Sequence, residues 1–102
     1  MAEAARAEGS IIVDSGAAQA LAQGGNSLLA VGCLACQGDF KAGDLVTITA
    51  EGREDVPFAR GLSNYSRSEV EQILGRPNAE IAAILGHTAY ADVIHCDNLI
   101  IC

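Results

Sequence analysis

A chain of 102 residues has room for one domain with a core large enough to need neither disulfides nor metal. Half of its residues are hydrophobic and 19% are charged, which excludes a disordered polar chain. Six Lys and Arg against thirteen Asp and Glu leave a net charge of -7, a field that repels phosphate backbones and argues against general nucleic-acid affinity.

The first eight residues are Ala-rich, carry Glu3, Arg6 and Glu8, and lack the apolar run of a secretory signal. They are expected to be disordered, with the folded domain spanning 9–102. No apolar stretch approaches the roughly 18 to 20 residues of a membrane span. A cytoplasmic address follows by default, and Cys33, Cys36, Cys96 and Cys102 are then expected as free thiols.

Residues 10–13 form a short β-branched run that predicts a strand. Asp14 follows as a helix N-cap, Ala17, Ala18, Leu21 and Ala22 fall at helical spacing, and Gly24-Gly25 supplies a stop. Residues 28–37 are almost wholly apolar and small, which predicts a buried strand kinked at Gly32. A turn at 40–44 leads to 45–50, where Val46 and Ile48 alternate with Thr47 and Thr49 as in a half-buried strand. Glu51-Gly52 turns the chain into a further strand over 56–64, whose Pro57 confines its start to an edge or bulge.

Ser66 and Glu69 make a capping box for a helix with Val70, Ile73 and Leu74 on one face and Gly75 at its end. After Pro77, Asn78 is the expected cap of another short helix with Ile81, Ile84 and Leu85 inward and Gly86 closing it. Residues 93–102 read as a last strand interrupted at Asp97-Asn98. Pairing of 11–13 with one sheet edge and 99–101 with another would close a small barrel. The tally is mainly β, with five or so strands and three short helices.

These segments, in this order, resemble a known domain. Val13-Asp14-Ser15-Gly16-Ala17, Gly25-Asn26-Ser27-Leu28-Leu29 and Gly38-Asp39-Phe40 with Gly43-Asp44 are similar to the PUA domain at the C-terminal end of bacterial glutamate 5-kinases. So are residues 59–66, Glu80-Ile81 with 83–86, and Val93-Ile94-His95 with Asp97-Asn98-Leu99. The resemblance covers 9–102. It implies a PUA-like pseudo-barrel of five to six mixed strands, and a partner kinase domain, absent from this sequence, that holds the ATP, glutamate and magnesium contacts. No cofactor is then expected on this chain, and Gly24-Gly25-Asn26-Ser27 lacks the lysine and spacing of a phosphate loop. Phosphoryl transfer by the chain alone is not expected.

In the wider PUA family the surface after the first helix contacts RNA, which by resemblance points to Gly24, Gly25, Asn26, Ser27 and Leu29. Their blander role is to end a helix and shape a turn, and it weighs more, because phosphate contacts need Lys or Arg and residues 7–40 contain neither. Arg60 is the cation added to this candidate RNA or interdomain surface; Lys41, Arg53, Arg67 and Arg76 read as scattered solvated charges. Cys96 stands where the family frequently carries a basic residue.

Cys33 and Cys36 resemble half of a zinc site that Cys96 and Cys102 would complete. In a regular strand residues three apart face opposite sides, so the pair converges only across a bulge, and no metal is expected. His87 and His95 have no nucleophile at dyad spacing, and His95 reads as a core or edge histidine of the last strand. Asp39 and Asp44 suit turn hydrogen bonds. The function expected is that of a non-catalytic accessory domain touching its own kinase domain or neighbouring subunits through an apolar patch, with an RNA-binding module as the alternative.

Overall fold

The computed structural model describes residues 7–53, 55–86 and 92–101. The expectations placed on residues 1–6, His87 and Cys102 lie outside these residues. Glu8 is described, and its amide donates to the carbonyl of Leu45 at 2.7 Å.

The frame is a mixed five-stranded sheet with three short helices. Strands β1 (Gly9–Val13), β2 (Cys33–Gly38), β3 (Leu45–Ala50), β4 (Ala59–Leu62) and β5 (Leu99–Ile101) lie in the order β2-β1-β3-β4-β5. Helices α1 (Ser15–Ala22), α2 (Arg67–Ile73) and α3 (Asn78–Leu85) connect or flank them. β1 runs parallel to β3 and antiparallel to β2, so it is an interior strand rather than an edge, and Ile11 sits between Cys36 and Ile48. The remaining neighbours are antiparallel.

The outermost strands are tied together away from the sheet. Leu28 and Ile94 form an isolated antiparallel bridge, with Leu28 N donating to Ile94 O at 2.9 Å and Val93 N to Leu28 O at 2.7 Å. This links the chain leading into β2 with the chain leading into β5. The curled sheet is thereby drawn into the pseudo-barrel, around a core of Ile11, Val13, Val46, Ile48, Phe40, Tyr65 and Ile94.

Local signals explain most elements. The Asp14 carboxylate accepts from Ala17 N at 2.7 Å and caps α1. Ser66 and Glu69 make both bonds of the capping box on α2. Val46 and Ile48 are buried in β3 and Thr47 is half-buried, as the alternation requires, but Thr49 departs from it and is buried as well.

Four elements differ from the sequence reading. Residues 28–37 do not make one kinked strand: Ala30–Gly32 is a 3-10 turn, because the buried Ala30 carbonyl is taken by Gly75 N and the Gly32 carbonyl by Asp14 N rather than by a ladder. The 56–64 strand shrinks to Ala59–Leu62, since Arg53 N and Val56 N bond back to Ala50 and Arg53 in successive turns and Pro57 has no amide to offer. Asn78 is the first residue of α3 and not its cap; Pro77 holds the cap position with extended backbone and no side-chain bond. In the last segment Cys96–Asn98 is a 3-10 turn, which leaves only three residues in β5.

Candidate functional site

Of the residues singled out after the first helix, Ser27 and Leu29 line one side of an apolar groove, and Gly24, Gly25 and Asn26 form the turn that leads to it. A cavity of about 300 Å³ is bounded by Asp14 at the N-cap of α1, by Ala17 and Leu21 on α1 and by Ser27, Leu29 and Val31 on the segment that returns toward β2. Gly24 and Gly25, with φ of 84° and 78°, turn the chain between these walls. That left-handed pair is what lets the segment fold back beside the helix it has just left. Asn26 fastens the turn, donating from Nδ2 to the Ala20 carbonyl at 2.7 Å.

Ser27 is half-buried and is held by a structural bond. Its Oγ accepts from Cys96 N at 2.9 Å, joining the turn to the 3-10 segment before β5. Leu29 and Val31 are exposed at 39% and 53%, whereas Leu28 between the turn and Ala30 is buried. The groove therefore presents aliphatic groups along one lip, and among the described residues Asp14 is the one charged residue in its lining. Asp14 already caps α1. An anionic ligand would meet a carboxylate here and no cation, so the geometry suits an apolar protein segment better than a phosphate.

Arg60 does not join this group. It projects from β4 on the exposed side, opposite the buried Ala59 and Gly61, in register with Thr47 and Ile100, and lines no part of the groove. Arg67 is paired within α2 to Glu71 at 3.4 Å, and Arg76, in the segment between α2 and α3, is paired to Glu80 of α3 at 3.7 Å. Sequence reasoning missed a second cavity, of about 360 Å³, between α1 and the hairpin loop, lined by Ala18, Ala22, Val56 and Phe58 with Arg53 at its rim. Val56 is 53% exposed there. Nothing local marks such a groove, because it arises from α1 lying over β3.

The cysteines are placed by a bulge. Ile12 is opposite Ala35 while Val13 is opposite Cys33, so Leu34 is the extra residue of β2 and is turned outward. Cys33 and Cys36 consequently both face inward, the one condition under which they converge. Each thiol nevertheless donates to a different carbonyl: Cys33 to Leu29 and Cys36 to Arg67. Burial, with smaller contributions from Cys36 and Asp14, pushes the Cys33 thiol up to about 12. Burial also raises that of Cys36, helped by Glu71 and opposed by Arg67. Both are held as thiols in the core.

His95 is a correction to its sequence reading: it is an exposed residue that caps the 3-10 turn, Nδ1 accepting from Asp97 N at 3.1 Å, and not a strand histidine. Asp44 makes the turn bond foreseen for it, accepting from Lys41 N at 2.9 Å. None of the described helices is long and apolar enough to cross a membrane.

Comparison with known proteins agrees with this architecture. Residues 9–85 match the family model of the PUA domain. A glutamate 5-kinase of Methylobacillus flagellatus is 44% identical over 101 residues, covering 99% of this chain and 27% of the relative. One of Pseudomonas fluorescens is 45% identical over 94 residues, covering 91% and 24%. The chain thus spans about a quarter of the length of the curated relatives it matches. Among solved structures, a PUA domain from Aeropyrum pernix K1, determined as a tartrate complex, superposes with a TM-score of 0.60 at 26% identity over 87% of this chain and 43% of that one. A conserved PUA domain protein from Thermoplasma acidophilum, at 21% identity and a TM-score of 0.55 over 85% and 48%, shares the fold. With its strand order, its three short helices and these matches in agreement, the chain belongs to the PUA domain family.

Proposed function

We propose that this chain serves as the accessory PUA domain of a glutamate 5-kinase, the enzyme class that phosphorylates L-glutamate with ATP in proline biosynthesis. The observation that carries the reading is identity of 39–45% to such kinases over nearly the whole chain. The domain supplies contacts rather than chemistry, and ATP and magnesium belong to the kinase domain of the parent. The surface best suited to that contact is the groove beside α1, with Leu29 and Val31 on its lip. Contact with the kinase domain of its own chain, or with a neighbouring subunit of a homo-oligomer, would cover that lip. A cytoplasmic address fits such an enzyme.

The test is to mix this chain with a glutamate 5-kinase truncated to its kinase domain and to follow association by analytical ultracentrifugation. Binding that is lost when Leu29 and Val31 are both replaced by Asp supports the reading. No association at high micromolar concentration, together with salt-sensitive gel shifts of structured RNA, would transfer the domain to the RNA-binding class.

A further inference from the structure

We propose that His95, Cys96 and Asp97 form a surface site for a divalent ion of the zinc class, independent of the groove beside α1 and of the cysteines in the core. Cys96 and Asp97 lie in one 3-10 turn that His95 caps, and the ligand atoms of the three lie within 4.8 Å of one another. His95 Nδ1 stands 3.9 Å from Cys96 Sγ and 3.6 Å from Asp97 Oδ2. Zinc bound tetrahedrally by nitrogen, sulfur and oxygen at about 2.0 to 2.3 Å has ligand-to-ligand edges of roughly 3.3 to 3.6 Å. The turn therefore holds two of the three edges within a few tenths of an ångström of what an ion needs.

The donor set selects the ion. One sulfur, one imidazole nitrogen and one carboxylate oxygen suit zinc or cobalt and not the all-oxygen preference of magnesium or calcium. Three protein ligands leave a fourth position for water or an outside ligand. The His95 side chain is 48% exposed and that of Asp97 86%, so an ion reaches them without rearrangement of the core. The backbone beneath is fixed: Cys96 N donates to Ser27 Oγ, and Ile94 is buried in its bridge to Leu28. Binding at Nδ1 exchanges one long amide bond, from Asp97 N at 3.1 Å, for a metal bond. The net charge of -7 favours a cation at this surface.

The experiment is a cobalt titration of the chelator-stripped 102-residue chain. One equivalent should produce the near-ultraviolet thiolate charge-transfer band and the visible bands of a tetrahedral site, and zinc should bleach both. Cys96→Ser should abolish the charge-transfer band, His95→Ala should weaken binding by about tenfold or more, and Cys102→Ser should leave the band in place. Independently of any variant, cobalt should broaden the amide resonances of residues 95–97 and Ser27 before all others. Absence of the bands at millimolar cobalt, their survival in Cys96→Ser, or their loss in Cys102→Ser would overturn the proposal.

Discussion

Gly32 lies flat against Ala17: a β-carbon built on Gly32 would stand 2.7 Å from the Ala17 side chain. The 3-10 turn before β2 is therefore packed against the Ala17 methyl of the first helix too closely for a side chain at position 32, and this contact lies in the lining of the groove. Gly32→Ala should cost roughly 1 to 3 kcal/mol through overpacking and push α1 outward. Gly24→Ala, with open space around its β-carbon but φ of +84°, should cost only the left-handed penalty of about 1 to 2 kcal/mol. Urea unfolding of both variants, with Ala17→Gly as a partial rescue of Gly32→Ala alone, separates steric from conformational cost.

The capping box gives a cleaner local test. Ser66 Oγ accepts from Glu69 N at 3.4 Å and donates to Glu69 Oε1 at 3.2 Å, while Ser66 N donates to the same carboxylate at 3.0 Å. Ser66→Ala leaves the first turn of α2 with an unpaired amide and should lower stability by about 1 kcal/mol. Ser66→Asn, which offers an acceptor for Glu69 N and a donor for the Glu69 carboxylate, should recover most of it. Equal losses in the two variants would mean that the hydroxyl matters for something other than the cap.

What was legible in the sequence follows the range of the interaction that decides it. Asp14, Ser66 with Glu69, and the alternation of Val46 and Ile48 act within a turn or along one strand, and each stands where its spacing placed it. The PUA resemblance supplied the architecture that local patterns only permitted. The insertion of β1 between β2 and β3 was not legible, because it depends on which strands meet and not on what β1 contains. Of the candidate site, Ser27 and Leu29 line the groove, yet the bond from Cys96 to Ser27 spans 69 residues and leaves no local signature. The inward turn of both Cys33 and Cys36 similarly rests on a one-residue register slip against β1.

Burial of Cys33 makes stability fall in alkaline solution. Its thiol is raised from 9.0 to about 12 in the folded chain, so above pH 9 the unfolded state loses the proton while the folded state keeps it. The stabilising contribution is complete below pH 9 and is lost as pH rises from 9 toward 12, at up to about 1.4 kcal/mol per pH unit. Urea midpoints at pH 8 and pH 10.5 should show a drop that Cys33→Ala reduces. The same burial predicts that, at neutral pH, Cys96 is alkylated well before Cys33 and Cys36, which mass spectrometry of partly labelled protein resolves.

Thr49 marks a place where the chain gives up stability. It is 2% exposed, and its hydroxyl has no hydrogen-bond partner among the described residues. Thr49→Val keeps the shape and the β-branched fit to β3 while removing the stranded polar atom. It should stabilise the domain by about 1 kcal/mol. A destabilised variant would place an ordered water or another partner on that oxygen.

Gly61 controls how the last strand docks. A β-carbon there would stand 2.7 Å from both Asn98 O and Ile94 Cγ2 and 3.3 Å from Leu99 Cα. β5 has three residues and, among the described residues, pairs with β4 alone, with Gly61 opposite Leu99. A Gly61→Ala side chain must therefore displace either the Cys96–Asn98 turn or the strand after it, since the other side of β4 is held by β3. The expected cost is roughly 1 to 3 kcal/mol, with amide exchange accelerated at Leu99–Ile101 more than in β1 or β3. Uniform acceleration across the sheet would instead mean that β5 unfolds only with the whole domain. Exchange confined to the edge would identify Gly61 as the residue that seats the 3-10 turn and thereby holds His95, Cys96 and Asp97 beside Ser27.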